Sequence, residues 1–504
     1  MRMGKRLAAL IFGFFVACSG FASAQTLRIG LQEDPDRLDP AQGATFVGRI
    51  VFAAVCDKLI DTDAKLNYVA QLATEWSWGA DGKSLTMRLR PGVVFHDGTP
   101  LDADAVKVNL DRYRTADYSS RKGEVRSIAN VVVVDPLTIR LELSRVDAPL
   151  LSVLADRAGM MLSPKALAEA GQSIANKPVC AGPFKFVERV AQDKIVFERF
   201  DQYWNKSQIH LQQVVFRPMA DTTVRTTNLL SGSLEIVERL QPSDLKQLKA
   251  DKRVKVASTT ALAYSTMSIN LANGAKAAAS VLNDPRVREA LELSLDRDAL
   301  IQVVFDGEFV ATNQPHSVEN PWYIKDAPVP ARDVARAKAL LAQAGIATPA
   351  FTLSVTNNPI DSQVAQVIQA MAKDAGFEVK IEVLEQNTLI ANATKGDYEA
   401  AVVIWSGRAD PDGNISIWLT CEGFINWGKY CSKDLDQILG NARAKTDAAA
   451  RLADYTAAAK IYLKDRPHIF LYNYKWLWGL GEKVDGFSPH PDGIIRLQGV
   501  RLRG

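Results

Sequence analysis

Three observations predict an α/β chain built as at least two large lobes. From Phe351 to Trp405 the pattern alternates strand, helix, strand, helix, strand, which is a βαβαβ unit. A strand at Val214–Phe216, the helical run TTVRTTNLLSG and the strand SLEIV make a separate βαβ unit, with Gly232 placed to end its helix. The full length is 504 residues, and the roughly 480 that follow the N-terminal leader exceed what one hydrophobic core usually serves.

Taken in order, Met1 to Ala24 has the shape of a cleaved secretory signal. Arg2, Lys5 and Arg6 precede an apolar run from Leu7 to Ala17, and Ala22-Ser23-Ala24 gives a small-residue end before Gln25. The run is too short for a bilayer span. Cys18, after Phe15-Val16-Ala17, loosely matches a lipoprotein processing site, but Phe15 stands where that pattern usually has Leu. The expected location is therefore periplasmic, by cleaved signal rather than lipid anchor. Cleavage would remove those three basic residues and no acid, leaving 57 basic against 57 acidic residues. That balance gives no support for a polyanion partner, since nucleic-acid binding draws on a basic face, and although net charge does not exclude a local patch, no nucleic-acid partner is expected.

Four cysteines follow the leader: Cys56, Cys180, Cys421 and Cys431. In an exported chain an even count reads as disulfides, with three pairings open. Cys421 and Cys431 close a short loop and are the favoured pair, which would leave Cys56 with Cys180. There is no CxxC, and His96, His210, His316, His468 and His490 are scattered without ligand spacing, so no metal site or cofactor is expected. GxSxG, HExxH and the Walker lysine motif are absent as well, which argues against an exported hydrolase.

The chain then opens with the strand LRIGL (27–31), a polar turn, and a helix-like run from Phe46 to Ile60. Trp76 and Trp78 lead into a turn at Ala80-Asp81-Gly82, after which Leu85, Met87 and Leu89 alternate at strand period, forming a hairpin. Asp102 caps a helix whose Ala103, Val106, Leu110 and Tyr113 share a face. Asp284 before Pro285 starts another helix, and Asp333 a third that Gly345 stops. Asp361 is expected to cap the helix that ends at Gly376. The last strand, Tyr398 to Trp405, delivers Arg408, Asp410 and Asp412 to its carboxyl end, where open α/β sheets place ligands. If that strand adjoins the one ending at Val355, Asn357, Asn358, Arg408 and Asp410 face one crevice.

A set of blocks in fixed order carries a family resemblance. They are LATEWSWGADGKSLTMRLRPGVVFHDGTPLDADAVKVNLDRY (72–113), CAGPFKF (180–186), FERFDQYW (197–204), NDPRVREALELSLDRDAL (283–300) and WSGRADPDGN (405–414). Together they resemble the solute-binding proteins of ABC importers, family 5, whose members bind dipeptides, oligopeptides, glutathione or nickel. The resemblance implies the two-lobed periplasmic binding protein fold (type II, cluster C), with an extra subdomain in the first lobe. It places lobe I at 25–261 with the subdomain at about 61–180, lobe II at 262–483, and a return segment at 484–504. The crossings between lobes then fall at 259–273 and 481–486.

It also implies a monomeric binder, not an enzyme, that passes a short peptide to a membrane permease and its ATPase. The alternative is a non-peptide solute such as a metal chelate, an opine or another small cationic molecule. In peptide-binding members an aspartate in the matching turn pairs with the ligand's ammonium, a role that falls by resemblance on Asp410. Trp405 would then be an apolar wall, and Arg408 a partner for a carboxylate. Because Arg408, Asp410 and Asp412 are two residues apart, they could instead neutralise one another and make the turn structural. Thr45 and Gly43 in the loop after the first strand, Gly182, Tyr264 and Asn358 complete the expected pocket.

Overall fold

A computed structural model describes residues 25–503. The proposed signal segment and its Cys18 lie outside the described residues. Among the described residues no helix is long and apolar enough to cross a membrane.

One large sheet runs through the molecule. Its order is Glu378–Leu384, Ala350–Thr356, Ala400–Trp405, Val254–Ile269, His468–Gly481, Ile236–Val237, Thr26–Leu31, Gln213–Pro218, Lys194–Arg199 and Phe184–Val190, with the short strand Val310–Ala311 attached to His468–Gly481. The two long strands at the centre, of 16 and 14 residues, pair antiparallel over most of their length. They feed two separate cores. Ala261, Ala263, Trp476 and Trp478 pack with the Thr26–Leu31 side, while Met267, Ile269, Leu471 and Tyr472 pack with the Ala350–Thr356 side. The pairing is interrupted by register shifts between Thr260 and Tyr264 and between Ser265 and Thr266. Bulges of this kind bend a strand where it passes from one packing layer to another.

On the second side the βαβαβ unit is parallel. Ala350–Thr356 lies between Glu378–Leu384 and Ala400–Trp405, with Leu353 opposite Ala400. The crossover rule for parallel strands therefore puts the loops after Thr356 and Trp405 on one edge. On the first side Thr26–Leu31 is flanked in parallel by Gln213–Pro218 and Ile236–Val237. A four-stranded antiparallel sheet, Ala73–Trp78, Ser84–Leu89, Thr138–Leu143 and Ile128–Asp135, has its own core around Leu85, Met87, Ile139 and Leu141.

Two local expectations change. The first helix is Phe46–Val55 and stops before Ile60, because Cys56 is extended and bonded to Cys180. The long helix Pro359–Asp374 is capped by Asn358, whose side chain accepts from the Ile360 amide, and not by Asp361. Proline at the first helical position fixes the start there, which puts Asp361 inside the first turn.

Gly182 shows why the CAGPF turn is built as it is. Its amide donates to Val55 O at 3.0 Å, and a Cβ at this position would lie 2.5 Å from the Val55 carbonyl. We predict that Gly182→Ala costs about 1–3 kcal/mol by pushing the turn off the first helix, measured by thermal or urea unfolding. A variant as stable as the parent would contradict this close approach.

Candidate functional site

The site grows from the turn that follows Ala400–Trp405. Gly407 has φ +79°, and a Cβ on it would sit 2.4 Å from Leu262 backbone and side-chain atoms, so the turn can lie against the Val254–Ile269 strand only with glycine there. Asn414 ties the turn shut. Its Oδ1 accepts from the Arg408 amide at 2.7 Å and the Trp405 indole at 3.1 Å, and its Nδ2 donates to Arg408 O at 2.9 Å. Tyr264, fully buried, donates to Asn414 O at 2.7 Å from the long strand beneath.

The three charged residues of the turn have different fates. Asp410 is buried and receives Arg451 bidentately, Nη1 to Oδ2 and Nη2 to Oδ1, both at 2.7 Å. Asp410 Oδ1 also accepts from the Asp412 amide at 2.9 Å. Arg451 projects from the helix Ala448–Asp465, where its Nε donates to Ala442 O at 3.1 Å. Asp412, in the first turn of Asp412–Leu419, accepts from Arg443 Nε at 3.0 Å and from the Ser416 hydroxyl at 2.5 Å. Arg408 points the other way. Its Nε lies 3.1 Å from Asp156 Oδ2, its Nη1 donates to Gly407 O at 2.8 Å, and its guanidinium rests 4.6 Å from the Trp405 ring centroid.

Asp156 belongs to the opposite side of the molecule, where Arg49 of the first helix donates to its Oδ1 at 3.0 Å. Burial pushes the Asp156 carboxyl up, but Arg49, Arg408 and Arg157 outweigh that and hold it well below the usual carboxylate range. Next to it Arg157 donates to Gly43 O at 2.9 Å, with Arg121 at 3.5 Å from the same oxygen. Burial, with Arg121 adding repulsion, lowers the Arg157 guanidinium to about 9. Burial likewise lowers Arg408 to about 10, against the pull of Asp156. Between the two walls lies a cavity of about 100 Å³, bordered by Trp405, Arg408, Asp156 and Ser152 among others. A further contact across it runs from the Asp410 amide to Ser152 Oγ at 3.4 Å.

Residues 67–426 match the model of the bacterial extracellular solute-binding proteins, family 5. The chain belongs to this family. It is 28% identical over 480 residues to the glutathione-binding protein GsiB of Pectobacterium atrosepticum, covering 92% of each chain. It is 26% identical to the dipeptide-binding protein of Escherichia coli K12, covering 86% of this chain and 85% of that one. The periplasmic binding protein DppA of Helicobacter pylori, solved with the peptide STSA, superposes with a TM-score of 0.85 at 25% identity over 95% of this chain and 98% of its own. AgaA of A. tumefaciens R10, solved with agropinic acid, shares the fold with a TM-score of 0.85 at 24% identity over 95% and 99%. The fold is thus the two-lobed α/β architecture of periplasmic binding proteins.

Within this family 5 chain, the residues expected to form the pocket fall into two groups. Trp405, Arg408, Asp410 and Asp412 all border the cavity, but Asp410, expected to meet a ligand ammonium, has both oxygens on Arg451. Gly43 lies beside the cluster through its carbonyl. The others have structural attachments. Thr45 caps the first helix at the Gly48 amide and donates to Asp36 at 2.9 Å, Asn358 caps its own helix, Gly182 packs on Val55, and Tyr264 supports Asn414 from below. Cys56 is bonded to Cys180 and Cys421 to Cys431. No group of three or more His, Cys, Asp or Glu that could hold a metal occurs among the described residues.

The sequence reading missed Asp156, Arg49, Arg121, Arg157, Arg443 and Arg451. For two of them a signal was present. Arg451 shares the buried face of its helix with Tyr455, Ala458, Ala459 and Tyr462, and Arg49 is the lone charge in FVGRIVFAAV. A charge on an apolar stripe needs a buried partner of opposite sign.

We predict that Asp410→Ala and Arg451→Ala each destabilise the ligand-free protein by about 3–5 kcal/mol, because each leaves a buried charge alone. Removing both should cost clearly less than the sum of the singles. Urea unfolding of the three variants checks this, and an Asp410→Ala protein that melts like the parent would contradict it.

Proposed function

We propose that this family 5 protein captures a peptide or peptide-like solute between its two lobes and delivers it to an ABC importer permease. The observation that carries the reading is the cavity where Arg408 and Trp405 of one side meet Asp156 of the other. Only a ligand that touches both walls gains affinity from closure and so shifts the population toward the closed state. The names of the curated relatives, which bind glutathione and dipeptides, support the solute class. We take Arg408, Trp405 and the Gly43 loop as the ligand-facing elements, and assign Asp410 and Asp412 to holding the turn. We place the boundary between lobes inside the two long central strands near 260–265 and 472–476, with 484–504 returning to the first lobe. The protein works in this reading as a monomeric periplasmic binder that returns its solute unchanged.

AgaA and the nickel-binding NikA of Staphylococcus aureus, solved with Ni(L-His)2, make a non-peptide solute the competing reading. Native mass spectrometry of protein purified from an oxidising compartment separates the two, since a tightly bound solute stabilises the native state and survives mild purification. We expect a released solute with amide-bond fragmentation. A sugar-acid conjugate or a metal chelate as the sole bound species would overturn the peptide reading.

A further inference from the structure

We propose that the cleft holds its solute by a carboxylate, received on Nη2 of Arg408, and that Asp410 is not an ammonium anchor. This rests on the inter-lobe reading above and goes beyond it by fixing the sign of the charge the turn recognises.

The argument is an inventory of charges and of unused donors. Asp410 is spent on Arg451 through both of its oxygens and cannot take a ligand cation without releasing a buried guanidinium, which is costly. Asp412 is partnered through Oδ1 alone, by Arg443 and Ser416. Arg408 is different. Its Nη1 is engaged by Gly407 and Ser406 and its Nε faces Asp156, while Nη2 makes no hydrogen bond among the described residues, on a side chain that borders the cavity. The N–H groups of a free guanidinium nitrogen can donate charge-assisted hydrogen bonds to a ligand carboxylate oxygen.

The surroundings reinforce the sign. Arg49, Arg121, Arg157 and Arg408 cluster here against two carboxylates, Asp156 and Glu124. Among the described residues three of these arginines, nine-tenths buried or more, keep an N–H without a hydrogen-bond partner, Arg49 Nη1, Arg121 Nε and Arg157 Nε, and on the acidic side Asp156 Oδ2 makes no hydrogen bond either. Buried donors normally have partners. An excess of buried positive charge with unused donors is the condition an anion relieves. Elsewhere on the wall the balance is even: Arg126 and Arg145 face Asp147 and Glu422, and none of the four makes an ion pair among the described residues. The uncompensated charge is confined to the Arg408 end, where Asp156 already bridges the two walls and a ligand carboxylate would add a second bridge.

Titration calorimetry on the full mature protein tests the sign of the anchor. The probes are Ala-Ala, Ala-Phe and glutathione, each as free acid, C-terminal amide and N-acetyl derivative, together with one non-peptide N-carboxyalkyl amino acid. We expect at least one free acid to bind, its amide to bind about thirtyfold or more weakly, and its N-acetyl form to stay within about threefold. Arg408→Gln should erase the preference for acid over amide, and Arg408→Lys should keep part of it, with melting curves showing both variants folded. Amides binding as tightly as acids, or Arg408→Gln leaving acid affinity unchanged, would overturn the carboxylate anchor while leaving the peptide reading in place. Binding of the N-carboxyalkyl acid alone, with the same dependence on Arg408, would overturn the peptide reading and support the anchor. If no acid in the set binds, both are overturned.

Discussion

The buried ion pair between Asp410 and Arg451 sets the geometry on which the site depends. A carboxylate enclosed in protein must be paired or neutralised, and here a helix more than thirty residues downstream supplies a two-pronged partner at 2.7 Å on each oxygen. With Asp410 drawn toward that helix, Asn414 locking the backbone and Gly407 pressed on Leu262, the turn leaves Arg408 with an unused nitrogen beside the cavity. In the proposed reading, the chemistry of recognition is decided by which charges the fold has already used.

The second constraint is mechanical. Both lobes hang on the same pair of long strands, Val254–Ile269 and His468–Gly481, and each strand contributes side chains to both cores. A continuous sheet would hold the lobes rigidly, but the register shifts near Thr260–Tyr264 and Ser265–Thr266 break the ladder where the cores change over. Bending concentrates where the fewest ladder bonds resist it. In the proposed reading the Arg408–Asp156 contact spans the cleft and would report on closure.

Much of the fold was legible because it rests on local pattern. The βαβαβ unit, the caps at Asp102, Asp284 and Asp333, and the hairpin after Trp78 follow from period and capping chemistry, and the structure has each of them. The start expected at Asp361 lies three residues late, because Asn358 followed by Pro359 is the stronger capping signal. The site was only half legible. Its location at the end of Ala400–Trp405 follows from the strand order, but the partners of the turn do not, because Arg451 and Asp156 are set by packing between distant elements. Two residues apart in sequence, Arg408 and Asp410 looked free to pair with each other; in space they face opposite directions.

The most direct test of the account is a crystal structure of the protein with its co-purified solute in place. The account predicts a solute enclosed between the lobes, an anionic group within hydrogen-bond distance of Arg408 Nη2, and the Asp410–Arg451 pair intact. A solute whose ammonium displaces Arg451 from Asp410, or one seated away from Arg408 altogether, would contradict it.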